Sequence, residues 1–288
     1  MEVRYDTVEV YPTNICQLNC SGCYLHSGDK EWSEKLAQSL VFDSGFFQRI
    51  DKEVLILGGE PTTWIHLLDF THAIRELNPE VKIIITTNAI RFITDEAYLK
   101  EFIRDCTVDK VKVYVSWHSN INILNPILKM KKAGILEGVI FVPNSLTEIP
   151  KLEEMFNKLN ALCPCYWRPF ITPDKKYAPL SKKVSDFLST QPSKNVQSNE
   201  RLIDGKIVSN IDIIHKNNEG TFSYKNYNCK CGKNTVLYTD GKLYNCLAQA
   251  IVGENPIPLN TTIQTNWKRC NYDFCCCDSF ELKKVEDI

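Results

Sequence analysis

From Val8 to about Ile171 the chain alternates short, nearly continuous apolar runs with longer stretches whose apolar residues recur at helical spacing, on a period near thirty residues. The runs cover residues 8–11, 54–57, 81–86, 111–116, 138–142 and 166–170, and are rich in β-branched and aromatic side chains. Unbroken apolar character is what parallel strands covered on both faces require. Between the runs, Leu67, Phe70, Ile74 and Leu77 share one helical face, and Asn78-Pro79 stops it. Thr94 is placed to cap a helix carrying Tyr98, Leu99, Phe102 and Ile103. Asn125-Pro126 opens another, whose basic last turn (Lys129, Lys131, Lys132) precedes Gly134. Residues 148–159 set Leu152, Met155, Phe156 and Leu159 on one side. Six βα units predict an α/β fold with a parallel sheet and right-handed crossovers. That is too few for a closed eight-unit barrel and suits an open, partial one.

After Thr172 the periodicity fails. Lys175, Lys176, Lys182 and Lys183 are scattered among Pro173 and Pro179, and residues 189–200 are polar around Pro192. This reads as a linker with one short helix (180–188) and a hairpin around Gly205. Residues 231–246 read as a second hairpin, because Asp240-Gly241 is a strong turn signal, and its ends bring Cys231 and Cys246 together. The organisation expected is therefore a partial (β/α)6 TIM-type barrel at 1–172, a linker at 173–227 and a small cysteine-rich α+β unit at 228–288.

Composition narrows the picture. A formal net charge of −1 argues against a broad electrostatic footprint for nucleic acid and leaves room only for a local basic groove. No apolar run approaches membrane-spanning length, and Met1–Asp6 lacks the charged-then-apolar pattern of a signal peptide. Thirteen cysteines in such a chain read as metal ligands in a reducing compartment rather than as a disulfide scaffold. The expectation is a soluble, cytoplasmic metalloprotein.

The candidate chemistry begins at Cys16, Cys20 and Cys23, three thiols within eight residues just after the first strand. Three thiolates on one loop can grip three corners of a cubane iron–sulfur cluster and leave one iron open to a chelating ligand. A structural zinc loop with His26 as fourth ligand, or three unrelated thiols, are the alternatives. In parallel βα folds ligands bind at the carboxyl ends of strands. Gly58-Gly59-Glu60-Pro61 follows the second strand, Thr86, Thr87 and Asn88 the third, and Ser116, Trp117 and His118 the fourth. Val142, Pro143 and Asn144, after the fifth, are placed to pack against a base, and Arg168 in the sixth to pair with a carboxylate or within the barrel. Cys106, Cys163 and Cys165 precede strands, at the opposite end, and read as small apolar residues.

The C-x3-C-x2-C spacing and the Gly-Gly-Glu-Pro turn resemble the signatures of the radical S-adenosylmethionine (radical SAM) superfamily. The resemblance implies a (β/α)6 partial barrel and a [4Fe–4S] cluster on Cys16, Cys20 and Cys23. S-adenosylmethionine would chelate the open iron and be cleaved reductively to a 5′-deoxyadenosyl radical. It implies a reductant such as flavodoxin or ferredoxin, and a peptide or small molecule as substrate. Gly58, Gly59, Glu60 and Pro61 carry over as the site of the methionyl amino group, and Asn88 and Ser116 as ribose- or carboxylate-binding residues. The family usually has an aromatic residue before the third cysteine; here that position is Gly22, which makes Tyr24 or the backbone the adenine contact. Cys231, Gly241 and Cys246 resemble the opening of the twitch and SPASM auxiliary-cluster extensions, but the full SPASM series is replaced by Cys270-x4-Cys275-Cys276-Cys277. This implies an auxiliary [4Fe–4S] cluster on Cys231 and Cys246 with two of the later cysteines. Alternation along an extended chain puts Cys275 and Cys277 on one side, and Cys229 is a substitute or bystander. Zinc stays open there. Two other readings stand beside this one: modification of a nucleotide or RNA base, with Lys175, Lys176, Lys182 and Lys183 as a basic stripe, and a non-catalytic iron–sulfur or zinc scaffold or sensor.

Overall fold

A computed structural model describes residues 4–18, 20, 23, 25, 28–118, 121–143, 147–168, 177, 179–190, 200–229, 234–259, 261, 267–273, 275 and 281–285. Six parallel strands follow one another across a sheet: β1 (Tyr5–Val10), β2 (Ile50–Ile56), β3 (Lys82–Thr87), β4 (Lys112–Trp117), β5 (Leu136–Phe141) and β6 (Cys165–Trp167). Between them run the short α1 (Glu34–Gln38), then α2 (Leu67–Leu77), α3 (Ile90–Thr94), α4 (Glu96–Val108), α5 (Leu124–Lys132) and α6 (Ile149–Asn160). The helix face read at Leu67, Phe70 and Ile74 is buried in α2, as are Leu99 and Phe102 in α4 and Leu152, Phe156 and Leu159 in α6.

Strand alternation divides the side chains into two sets. Ile83, Ile85, Val113, Val115, Val139 and Phe141, each 0–1% exposed, belong to the main hydrophobic core. The alternate positions Leu57, Thr86, Ser116, Ile140 and Val142 line a cavity at the carboxyl ends of the strands. Deeper in the sheet, Lys82 Nζ lies 2.8 Å from Glu137 and 3.8 Å from Glu53. The Tyr114 and Tyr166 rings cross edge-on at 5.6 Å beside Gly138, where a Cβ would stand 2.8 Å from the Tyr166 ring.

Three sequence expectations change. Asp95, not Thr94, caps α4, its Oδ1 accepting from Tyr98 N at 2.9 Å, because Thr94 is consumed as the last residue of α3. The stretch expected to be a linker holds α7 (Lys182–Thr190), the hairpin β7 (Glu200–Ile203) and β8 (Lys206–Ser209) around Gly205, and also α8 (Asn210–Asn218). β7 and β8 enter a five-stranded sheet with β9 (Tyr227–Cys229), β12 (Lys268–Arg269) and β13 (Glu281–Lys284), in the order β12-β9-β13-β7-β8. The second hairpin forms as β10 (Asn234–Leu237) and β11 (Leu243–Tyr244), followed by α9 (Leu247–Val252). It does not stand apart: β10 pairs in parallel with β1, Val8 opposite Thr235 and Val10 opposite Leu237, and so extends the first sheet to eight strands. Among the described residues, no helix is long and apolar enough to cross a membrane.

Candidate functional site

The cysteine loop is closed at its base and pinned just before Cys16. Asn14 N donates to Lys30 O at 2.9 Å, Gly28 N to Asn14 O at 3.0 Å, and Lys30 N to Asn14 Oδ1 at 2.8 Å. From the neighbouring strand end, Gly59 N donates to Thr13 O and Glu60 N to Ile15 O, both at 2.8 Å. The two glycines are there to permit this approach. A Cβ on Gly58, at φ +138°, would sit 2.3 Å from Thr13 O, and one on Gly59 would sit 2.4 Å from Ile15 O. Backbone meets backbone where the sequence suggested backbone meeting ligand.

Glu60 is fixed by its neighbours as well. It is 1% exposed, and four donors converge on its carboxylate. Oε1 accepts from Thr62 N at 3.1 Å and from the Thr62 and Thr87 hydroxyls at 2.6 Å, and Oε2 from Asn88 N at 2.6 Å. Burial pushes its carboxyl above the ordinary range, and these hydrogen bonds oppose the shift. The side chain thus knots the β2 end to the β3 end, and Pro61, buried beside it, begins a short 3-10 turn. Asn88 extends the knot: its Nδ2 donates to Cys16 Sγ at 3.6 Å and to Gln17 Oε1 at 3.4 Å.

Cys16, Cys20 and Cys23 all line one cavity of about 200 Å3, together with Gly58, Gly59, Glu60, Asn88, Ser116, Val142 and Arg168. With Thr86, Thr87 and His118, thirteen of the residues singled out from the sequence therefore converge. Tyr24, His26 and Asn144 lie outside the described residues. The walls also contain Tyr11, Leu18, Leu25, Leu57 and Ile140, which the sequence reading did not name. Tyr11 and Leu57 continue β1 and β2 by one residue, so the rule that ligands sit at strand ends pointed to both. Tyr11 is 2% exposed and donates to the buried Glu9 Oε2 at 3.1 Å. His118 lines the cavity as well, and burial holds its imidazole below its usual pKa, so it is neutral at neutral pH.

Burial pushes the Cys16 thiol up to about 11, with the Leu18 backbone N–H opposing and Glu60 and the other two thiols adding to the rise. Cys20 moves in the same direction for the same first reason. The Cys16 and Cys20 thiols so placed resist ionisation unless a cationic centre joins them. A cluster in which three irons each take one thiolate would meet that need, and the N–H donors on Cys16 Sγ suit a reduced, more negative cluster. Among the described residues, no three His, Cys, Asp or Glu side chains gather closely enough to hold one metal ion.

The second thiol group is assembled from distant segments. Cys229 ends β9, Cys246 sits at the N-cap of α9, and Cys270 and Cys275 follow β12. The Cys229 and Cys270 thiols share a hydrogen bond, Cys275 acts electrostatically on Cys270, and Tyr272 is within electrostatic reach of both Cys246 and Cys270. Cys229, given from the sequence as a substitute or bystander, thus lies beside Cys270. Tyr177 Oη donates to Cys275 O at 2.9 Å and steadies this segment. Cys231, Cys276 and Cys277 lie outside the described residues, as do Lys175 and Lys176; Lys182 and Lys183 are exposed on α7, away from the cavity.

Residues 10–132 match the Radical SAM superfamily. Among solved structures, the fold is similar to SuiB of Streptococcus suis, with a TM-score of 0.58 and 16% identity over 91% of this chain and 66% of SuiB. SuiB bound to S-adenosylmethionine aligns with a TM-score of 0.54 and 17% identity over 91% of this chain and 63% of that one. A third similar structure is anSMEcpe with bound AdoMet and Cp18Cys peptide, at 0.51 and 16% identity over 84% of this chain and 73% of that one. The chain spans about two thirds of the length of SuiB. At these identities the likeness is one of fold. No curated protein sequence matches the chain.

Proposed function

Residues 10–132 being a radical SAM domain, we propose that the chain is a radical SAM enzyme that acts on a peptide or small-molecule substrate. The observation that carries this reading is the convergence of Cys16, Cys20 and Cys23 with the strand-end residues on one cavity. The three thiols would hold a [4Fe–4S] cluster, which would supply the electron for reductive cleavage of S-adenosylmethionine, and Asn88 orients Cys16 through its amide. Because Glu60 is engaged by Thr62, Thr87 and Asn88, its part is to hold the Gly58–Pro61 backbone in place for the methionyl ammonium group. Ser116, which lines the cavity, would be a ribose- or carboxylate-binding residue, Arg168 would offer a bidentate partner to a carboxylate, and Leu57, Ile140 and Val142 give the cavity apolar walls that would exclude water.

Cys229, Cys246, Cys270 and Cys275 are the proposed holders of an auxiliary iron–sulfur cluster. A peptide substrate draws support from the bound states of two proteins of similar fold, SuiB with precursor peptide SuiA and anSMEcpe with Cp18Cys peptide. Arg168 is the lone basic side chain among the described cavity residues, which disfavours the nucleotide reading. The test is anaerobic reconstitution, a count of iron and sulfide, and an assay for 5′-deoxyadenosine after chemical reduction. Product dependent on Cys16, Cys20 and Cys23 is expected; full iron content with no cleavage of S-adenosylmethionine points to the scaffold or sensor instead.

A further inference from the structure

The corner between α6 and β6 reads Cys163-Pro164-Cys165. It stands at the amino end of β6, away from the cavity at the carboxyl ends, so neither thiol belongs to the cluster sites above. Both are partly exposed, whereas Cys106, the other cysteine placed at this end, is 1% exposed and sits in the last turn of α4. The corner is held firmly: Cys163 N donates to Leu159 O, and Val139 N to Pro164 O, each at 2.9 Å. Proline fixes its own φ and keeps the two cysteines from drifting apart. Cys165 Sγ folds back to 3.6 Å from Cys163 O, and Cys163 Sγ lies 3.6 Å from Leu159 O.

We propose that Cys163 and Cys165 form a redox-active dithiol, which a two-electron oxidant of the peroxide class converts to a disulfide with Cys163 attacking and Cys165 resolving. The direction follows from the surroundings. The two thiols lie within hydrogen-bonding reach of each other and the Lys131 ammonium acts on Cys163, so Cys163 is held below the usual thiol range and Cys165 above it. The Cys163 thiolate attacks one peroxide oxygen, the O–O bond breaks, and the departing oxygen leaves as water, giving a sulfenic acid. The Cys165 sulfur then attacks the Cys163 sulfur, the S–S bond forms, and the sulfenic oxygen leaves as a second water. Two sulfurs lose two electrons and one peroxide gains them. A thiol reductant reverses the change by exchange. This makes the corner an oxidation site independent of any iron centre, and it joins the strand whose continuation carries Arg168 into the cavity.

The sequence makes the test clean. Trypsin cuts after Lys158 and Lys175 but not at Arg168, which Pro169 follows, so peptide 159–175 holds these two cysteines and no other. Peptide 105–110 holds Cys106 alone and serves as an internal reference. The folded full chain, purified without oxygen, is exposed to a few equivalents of hydrogen peroxide, alkylated in denaturant and mapped by mass. Peptide 159–175 is expected to lose two hydrogens and take no label while peptide 105–110 is fully labelled. Two labels on 159–175, or its linkage to another peptide, overturns the proposal. In a second arm, Cys165→Ser should accumulate a sulfenic acid at Cys163 that a dione probe traps, at a rate about tenfold above that of Cys165 in Cys163→Ser. The reverse order overturns the assignment of attacker and resolver.

Discussion

The two thiol groups are built in opposite ways. Cys16, Cys20 and Cys23 lie on one short loop, and the loop is positioned by main-chain hydrogen bonds from Gly59 and Glu60 to Thr13 and Ile15. Cys229, Cys246, Cys270 and Cys275 come from three separate stretches, and a side-chain hydroxyl, that of Tyr177, holds one of them. A loop latched by backbone tolerates changes in side-chain chemistry but not added volume at the glycines. A site gathered from afar depends on the folding of everything between its members and on individual side chains.

The sharpest way to break this comparison is to remove thiols from each group. Replacing Cys16, Cys20 and Cys23 with Ala should abolish 5′-deoxyadenosine formation, while Cys246→Ala should leave uncoupled cleavage largely intact and lower bound iron by about four per chain. Loss of cleavage in Cys246→Ala makes the two sites one functional unit. Next in size is Gly59→Ala, whose Cβ would overlap Ile15 O at 2.4 Å. It should cost about 2–3 kcal/mol in urea unfolding and deplete iron from the N-terminal loop first. Tyr177→Phe should cost about 1 kcal/mol and loosen the segment of Cys275, seen as faster alkylation there and unchanged alkylation at Cys16. The smallest effect is expected from Asn88→Ala. Losing a donor to Cys16 Sγ should lower the midpoint potential of the N-terminal cluster alone, read by redox titration.

How well the sequence foretold each group follows from the same difference. Parallel strands buried on both faces write themselves as apolar runs, so β1 to β6 stood out, and a loop with three cysteines needs no distant information. The Gly-Gly-Glu-Pro turn was visible too, but its glycines serve the packing of Thr13 and Ile15, a purpose that only a long-range contact reveals. Nothing local in Val236 or Leu237 announces a parallel partner at Val10, and nothing near Cys229 points to Cys270. Thr94 and Asp95 are both good caps, and the choice between them was made by α3. Cys163 and Cys165 read as apolar fillers because spacing does not tell a covered thiol from a partly open one.

The pairing of β10 with β1 has a consequence for how the molecule is made. The strand that carries the chain toward Cys16, Cys20 and Cys23 is synthesised long before its partner, and one flank stays bare until residues 234–237 have left the ribosome. An unpaired strand edge is a template for unwanted association. Until then the nascent chain carries an adhesive margin beside the cysteine loop. Shortened forms that stop before residue 234 should be recovered in inclusion bodies, and supplying 228–288 in trans should return part of them to solution.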